Sequence, residues 1–442
     1  MHPRPDPLQS PSSAFWVGTA SQVESPVLDA LSHLLDSASP GELEPNLALW
    51  AERYLDSSGT IPGLGPAGWR EVLSRLAARP SRPGSSPTRT TLVARLRRAV
   101  DAFQRPDGSM AFGPRAAKTA TTRRTPRPPA AFACHPGPVR LAIRDRLAGA
   151  ELFLALDESQ VAEVAPLELY AHGRLWIDQI GGGVCPVDAA LPPSRPAVWS
   201  TWTATPEAVL AEYCKPLRDG AWRQRTVVWL RSRRILILAE EMAEATAAIS
   251  TTAGWIRLAG RLIARPADDG VGLWLDDPAE TVPRIRVIAP SESGSPAHPL
   301  ADSTTLRFGP DTAPGWRPLL FILDPRLAAR PPVLRTLTVT QQRAILGPEL
   351  ASAYRLSWPG QTTSLVVYRS RRPGPQCAFL GHQTDARLLI GSFSRSGELT
   401  PFIQQGWSAP DAASGDSRST TSSARYTPGR PRPSDDPNAC EP

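Results

Sequence analysis

Tyr170, His172 and Arg174 stand at alternate positions in the run Leu167-Glu168-Leu169-Tyr170-Ala171-His172-Gly173-Arg174. In an extended strand, side chains two residues apart share a face. Tyr170 and His172 would then fall together, with Arg174 joining them if the strand continues. A phenol, an imidazole and a guanidinium supply a proton donor, a proton acceptor and a cation able to neutralise a carboxylate. The plainer reading is preferred: Tyr170 packs its ring, His172 bonds within a turn, and Arg174 makes a surface ion pair.

A second constellation lies in the run from Arg223 to Met242. Arg223, Arg225, Arg231 and Arg233 share odd parity with Trp229. On one sheet face they could bind an anionic sugar, the guanidiniums gripping carboxylate or sulfate and the indole stacking on a pyranose. The plainer alternative, preferred here, is a solvated outer face whose arginine stems cover apolar surface.

Other chemistries find little footing. The histidines (His2, His33, His135, His172, His298 and His382) are isolated, with no H-x-H or H-E-x-x-H spacing, so no metal site is expected. Asp219, Asp268, Asp269, Asp276 and Asp277 read as turn residues. Gly181-Gly182-Gly183 lacks the form of a phosphate loop and reads as a turn, and no G-x-S-x-G elbow is present. Cys134, Cys185, Cys214, Cys377 and Cys440 are scattered and odd in number, which suggests free, buried thiols rather than a disulfide framework. No cofactor is implied.

The elements that must position these residues change character along the chain. Residues 24–113 read as a small all-α region. Leu28, Leu31, Leu34 and Leu35 make one helical stripe. Leu47, Trp50, Tyr54 and Leu55 make a second, and Trp69, Val72, Leu73 and Leu76 a third. Leu92, Leu96, Val100 and Phe103 make a fourth, opened near Thr90 or Thr91. Ser109 to Phe112 is expected to begin the first strand. Residues 114–137, rich in proline and arginine, read as a linker whose basic run Arg123 to Arg127 is solvated.

From 138 to 407, short β-type runs recur between Gly, Pro and Asp turns. Among them are Glu151 to Leu156, Leu167 to Ala171, Val198 to Thr203, Thr226 to Leu230, Ile235 to Ala239 and Trp255 to Ile263. The clearest hairpin runs from Arg225 to Glu240 around Ser232-Arg233. Trp199 and Trp202 are expected on opposite faces of one strand. So many strands at short spacing predict a mainly β protein, with a large antiparallel β-sandwich behind the helices. Residues 1–23 and 408–442 hold too little apolar surface to offset ordering entropy and read as disordered.

The net charge is +7, and Lys118 and Lys215 are the only lysines among the basic residues. Arginine in place of lysine, with abundant Ala and Pro, fits a G+C-rich genome, so the charge is not taken as a sign of nucleic-acid binding. No run approaches the ~18 apolar residues that a membrane span needs. No secretory signal is visible either, so the chain reads as cytoplasmic, or secreted if its start codon is misassigned.

Two stretches carry a family resemblance. Leu167 to Arg174, continuing through Asp178 and the glycine run, resembles a hairpin of the heparinase II/III-like polysaccharide lyases. The segment "RQRTVVWLRSRRILILAEEM" is similar to a later strand pair of that family. The resemblance implies a supersandwich-like β-domain and an acidic polysaccharide as partner. It also implies β-elimination, in which a base removes the uronate C5 proton, an acid protonates the leaving oxygen and a cation neutralises the carboxylate.

The chain departs from the family in two ways. Ser159-Gln160-Val161-Ala162-Glu163 stands where the family places an H-x-H-x-D-like pattern, and only Glu163 resembles it. The four helices are also too few for the family's α/α toroid. The expectation is a divergent, pseudoenzyme-like relative that binds acidic polysaccharide with lost or much reduced lyase activity. Its candidate substrate contacts are Arg174, Arg223, Arg225, Arg231 and Trp229. The alternatives are a non-catalytic interaction scaffold and an active lyase with an atypical site at Tyr170 and His172.

Overall fold

The structure, a computed structural model, describes residues 26–39, 42–78, 87–113, 130–135, 137–147, 150–162, 164–182, 195–217, 222–243, 254–278, 283–290, 304–308, 316–371, 373 and 375–407. The elements discussed below lie in the unit that ends at Gly406. Residues 1–23, the basic run Arg123 to Arg127, Glu163, Cys185, Cys440 and the tail 408–442 lie outside the described residues.

Four helices come first: Pro26–Ser37, Leu43–Tyr54, Pro66–Ala78 and Pro87–Ala102. Three open on proline, whose fixed φ and missing N–H suit the first helical position. The fourth helix therefore starts at Pro87, ahead of the threonines expected to open it. Leu31 and Leu35, Leu47 and Trp50, Trp69, Val72 and Leu76, and Leu92 and Leu96 are the buried stripes. Ser109 to Phe112 does not begin a strand. Met110 makes a lone bridge to Gln104, and Phe112 has φ 63°, which breaks an extended run.

Apart from a short helix at Pro325–Ala328, the remaining elements among the described residues are β, in four sheets whose strand pairs are all antiparallel. The first sheet runs Ala131–Ala133, Arg140–Leu147, Ala150–Asp157, Val164–Ala171, Arg174–Gly182, Gly254–Leu258 and Thr305–Arg307. The second runs Ile263–Pro266, Leu273–Asp276, Ile285–Ile288, Trp316–Ile322, Ile235–Ala243, Trp222–Leu230, Ala208–Pro216 and Val198–Ala204. The third runs Val333–Leu337, Ala351–Ser357, Thr363–Ser370, Leu388–Ser394 and Leu399–Gln405, and four short strands between 340 and 384 form the last.

Strand alternation explains the layering. In Trp222–Leu230, Val227 and Trp229 enter the core shared with the first sheet, while Val228 and Leu230 enter the core shared with the third. Leu236 and Leu238 follow the first pair, and Ile235 and Ile237 the second. A strand covered on both faces needs apolar residues at both parities, hence the near-continuous runs TVVWL and ILILA. The third sheet repeats the pattern. Leu365 and Val367 meet the second sheet, while Val366 and Tyr368 meet the short strands beyond. Helices pack on the outer side of the first sheet, where Arg140 lies 4.9 Å from the Trp69 ring. The mainly β, antiparallel sandwich expected from sequence is present, and it takes the form of a stack of sheets.

Two local expectations change. Trp255 to Ile263 is two strands, broken at Gly260 with φ 64°. Trp199 and Trp202 are in contact, their ring centroids 6.2 Å apart, because a bulge between Trp199 and Thr201 reverses the alternation. No helix among the described residues is long and apolar enough to cross a membrane.

Candidate functional site

Ala171 pairs with Arg174, so His172-Gly173 is a two-residue hairpin turn. Both residues have positive φ, 53° and 80°, as a type I′ turn requires. A turn residue leaves the strand's alternation, and this separates the expected trio. Tyr170 is buried, with its ring 6.3 Å from Phe153. It lies on the helix side of the sheet, where its strand neighbour Glu168 binds Arg105 through Oε2 at 2.8 Å. His172 turns the other way, and its Nε2 donates to the Leu323 carbonyl at 2.9 Å. Burial lowers the His172 pKa, outweighing the Leu323 bond, which favours the neutral form of the ring. Arg174 pairs with Asp277. The structure does not bring the three side chains to one point.

The Arg/Trp face of Trp222–Leu230 points into the protein. Arg223, Arg225 and Trp229 are 3%, 1% and 0% exposed, so the solvated outer face expected from sequence is instead an interior one. Parity groups these three, but Arg233, expected with them, lies in the turn beyond the strand and donates to Gln361 at 3.2 Å and to Ser392 of the third sheet at 3.0 Å; the covering first sheet comes from elsewhere in the chain.

There they form a charge network. Glu158, 1% exposed, accepts from Lys215 Nζ at 2.5 Å, from Tyr213 Oη at 3.4 Å and from Arg225 Nη1. Arg225 Nε donates to Glu240 at 3.1 Å and its Nη2 to the Gly181 carbonyl at 2.6 Å. Arg223 Nε lies 3.3 Å from Glu240, whose other oxygen accepts the Gly254 N–H at 2.7 Å. Burial disfavours the Arg225 cation, but Glu158, Tyr213 and Glu240 more than offset this and hold its pKa up. Burial also lifts the Tyr213 pKa, with Glu158 adding to it, and lowers that of Lys215.

A second network lies on the opposite face of the same strands. Glu212 accepts from Arg369 at 2.8 Å, from Thr226 at 3.0 Å and from Arg387, while Glu241 accepts from Arg369 at 3.0 Å and Arg371 at 2.7 Å. Register explains the clustering. Tyr213 pairs with Arg225 and Arg225 with Glu240, so three neighbouring strands turn polar at the same end. The sequence did carry this signal, since a hairpin centred on Ser232-Arg233 sets Arg225 opposite Glu240.

Arg231 sits at the rim, 3.3 Å from Asp145, which also accepts the Trp229 Nε1–H at 2.8 Å. At the position of the absent histidine pattern, Ser159 donates its hydroxyl to Asp157 and Val161 is 53% exposed. Among the described residues there is no group of three or more His, Cys, Asp or Glu side chains that could hold a metal ion.

At the far edge of the second sheet is a cleft of about 430 Å³ lined by Arg265, Pro266, Asp268, Trp274 and Arg284. Asp276, whose side chain is 5% exposed, binds Arg265 Nε at 2.6 Å and Arg284 Nε at 2.9 Å. The two arginine side chains remain 53% and 54% exposed. Sequence reasoning missed this cleft; it placed Asp268 in a turn, where it lies, but also Asp276, which instead closes the strand Leu273–Asp276. Arg265 and Arg284 come together only through the pairing of three strands.

Helices on a stack of antiparallel sheets, with ion networks between the layers, define a layered β-sandwich frame. In fold the chain is similar to solved heparan sulfate lyases. One match is heparan sulfate lyase HepC from Pedobacter heparinus, with TM-score 0.52 and 11% identity, covering 78% of this chain and 66% of that one. Another is heparinase III, with TM-score 0.51 and 10% identity, covering 78% and 66%. A mutant HepC matches at TM-score 0.51 over 65% of its length, so the chain spans just under two thirds of these enzymes. No protein family matches the sequence, and no curated protein matches it either.

Proposed function

We propose that this chain is a divergent heparinase II/III-like protein that binds an acidic polysaccharide and has lost most or all lyase activity. The observation that carries the reading is a heparinase-like frame in which Tyr170, His172 and Arg174 are each engaged by the scaffold. β-Elimination needs a base, an acid and a carboxylate-neutralising cation within reach of one sugar ring. A tyrosine packed on Phe153 and a histidine bonded to the Leu323 carbonyl face different layers of the stack. Arg223, Arg225 and Trp229 act as interior clamps in this reading, and Arg231 is the member of that set nearest the surface.

The test combines turnover and retention on one panel of uronate polysaccharides. Ultraviolet absorbance reports any unsaturated uronate, and affinity electrophoresis reports binding. Retention without absorbance is expected. Steady release of unsaturated product by the wild-type protein, abolished by His172→Ala, would instead establish an active lyase. One observation favours that second reading: with Nε2 donating to the Leu323 carbonyl, the neutral ring that burial favours would carry its lone pair on Nδ1, as a general base does.

A further inference from the structure

We infer that the cleft between Arg265, Trp274 and Arg284 binds one acidic sugar unit, carrying a sulfate or a carboxylate. This rests on the polysaccharide-binding reading above and assigns it a place. The cleft is built from a row of paired strands. Arg265 faces Trp274 across one pair, and Trp274 faces Arg286 across the next.

Each component matches a part of an acidic sugar. The Trp274 indole and Pro266 supply an apolar wall for a pyranose face. Two guanidiniums hold the indole, that of the fully buried Arg286 4.9 Å from its centroid and that of Arg284 5.9 Å from it. Arg286 is itself anchored to the Ala328 and Arg330 carbonyls at 3.1 and 3.0 Å and to Asp269. Its charge is therefore met from within, and it supports Trp274 without lining the cleft itself.

Arg265 and Arg284 supply the anion grip. Both are tied to the buried Asp276 carboxylate, which holds two guanidiniums together against their mutual repulsion. Arg265 uses Nε and Nη2 for this contact and Arg284 uses Nε. A guanidinium has five N–H donors in a planar fork, so each side chain has donors beyond those used on Asp276. Pre-ordered forks at about half exposure suit a planar or tetrahedral oxyanion, because little side-chain entropy is left to lose. Asp268, exposed on the rim, can accept from a sugar hydroxyl and would repel a bare dianion. The mixed lining favours an acidic sugar over a free inorganic anion.

The experiment measures retention on immobilised heparan sulfate and on immobilised hyaluronan, which carry sulfate plus carboxylate and carboxylate alone. The unaltered protein is compared with Arg265→Gln/Arg284→Gln and with Arg335→Gln, which removes an exposed arginine elsewhere. Loss of two charge-assisted contacts should weaken binding about tenfold on at least one polymer, with the Arg335 control staying within about twofold. Thermal melting checks that the double variant is folded; if it is not, Arg265→Gln alone replaces it, with about a threefold loss expected. If the wild type is retained and the double variant equally so, or if the control loses as much, the cleft is not the site although the protein binds polysaccharide. If the wild type is not retained on either polymer, both the cleft and the broader reading fall.

Discussion

Arg225 crosses from the second sheet to the first and donates its Nη2 to the Gly181 carbonyl at 2.6 Å. The same guanidinium bridges Glu158 and Glu240, whose charges are balanced together with Lys215 and Arg223, and so joins two layers. Breaking such a pair from one side leaves uncompensated charge in the interior. Arg225→Ala is expected to cost about 3 to 5 kcal/mol of folding stability, measured by denaturant unfolding. A change of under about 0.5 kcal/mol, the level of an ordinary surface substitution, would mean that the network is not a clamp.

Gly254 tests the same network from its neighbour. A Cβ at this position would lie 2.2 Å from the Glu240 carboxylate that its own N–H binds. Gly254→Ala should push Glu240 off Arg225 and destabilise by about 1 to 3 kcal/mol, read as a lower melting temperature. Gly360→Ala makes a useful contrast, since nothing lies within 4 Å of its Cβ and only its φ of 80° opposes the change.

His172 should leave a signature in the pH dependence of stability. Burial is the largest influence and favours the neutral ring, so its folded pKa lies below the ordinary value of 6.5. As pH falls through the unfolded value, the unfolded chain takes up more protons than the folded one. The stabilisation is therefore present above about pH 6.5 and is lost as pH falls through the folded pKa. His135, shifted down by burial, adds in the same direction. His172→Asn suits the positive φ and should flatten, without abolishing, the stability loss between about pH 7 and 5. An unchanged slope in urea titrations would show that His172 does not titrate with folding.

Cys134 is fully buried, and burial pushes its thiol up to about 11. Alkylation requires the exposed thiolate. Iodoacetamide at pH 8 should leave Cys134 unlabelled in the native protein and label it fully in denaturant, as read by peptide mass spectrometry. Rapid native labelling would contradict the packing of the first core.

The layout was legible wherever local chemistry decides it. The buried stripes at Leu31, Trp69 and Leu96 follow from helical spacing, and the hairpin around Ser232-Arg233 follows from two apolar arms. Alternation also grouped Arg223, Arg225 and Trp229 correctly. Which face is covered was not legible, because Glu158 and Gly181 lie far away in sequence. A single residue can also undo a parity argument. His172 leaves the strand at a left-handed turn, and a bulge at Ser200 brings Trp199 to Trp202. The cleft depends on register among three strands and on Asp276 being buried, and a one-dimensional pattern shows neither.

Calorimetric titration of the protein with heparan sulfate, beside a neutral dextran of similar length and at low and high salt, tests the central claim most directly. Saturable binding to the acidic chain alone, weakening as salt screens the arginines, is the predicted result. Equal binding to both polymers, or none to the acidic one, would contradict it.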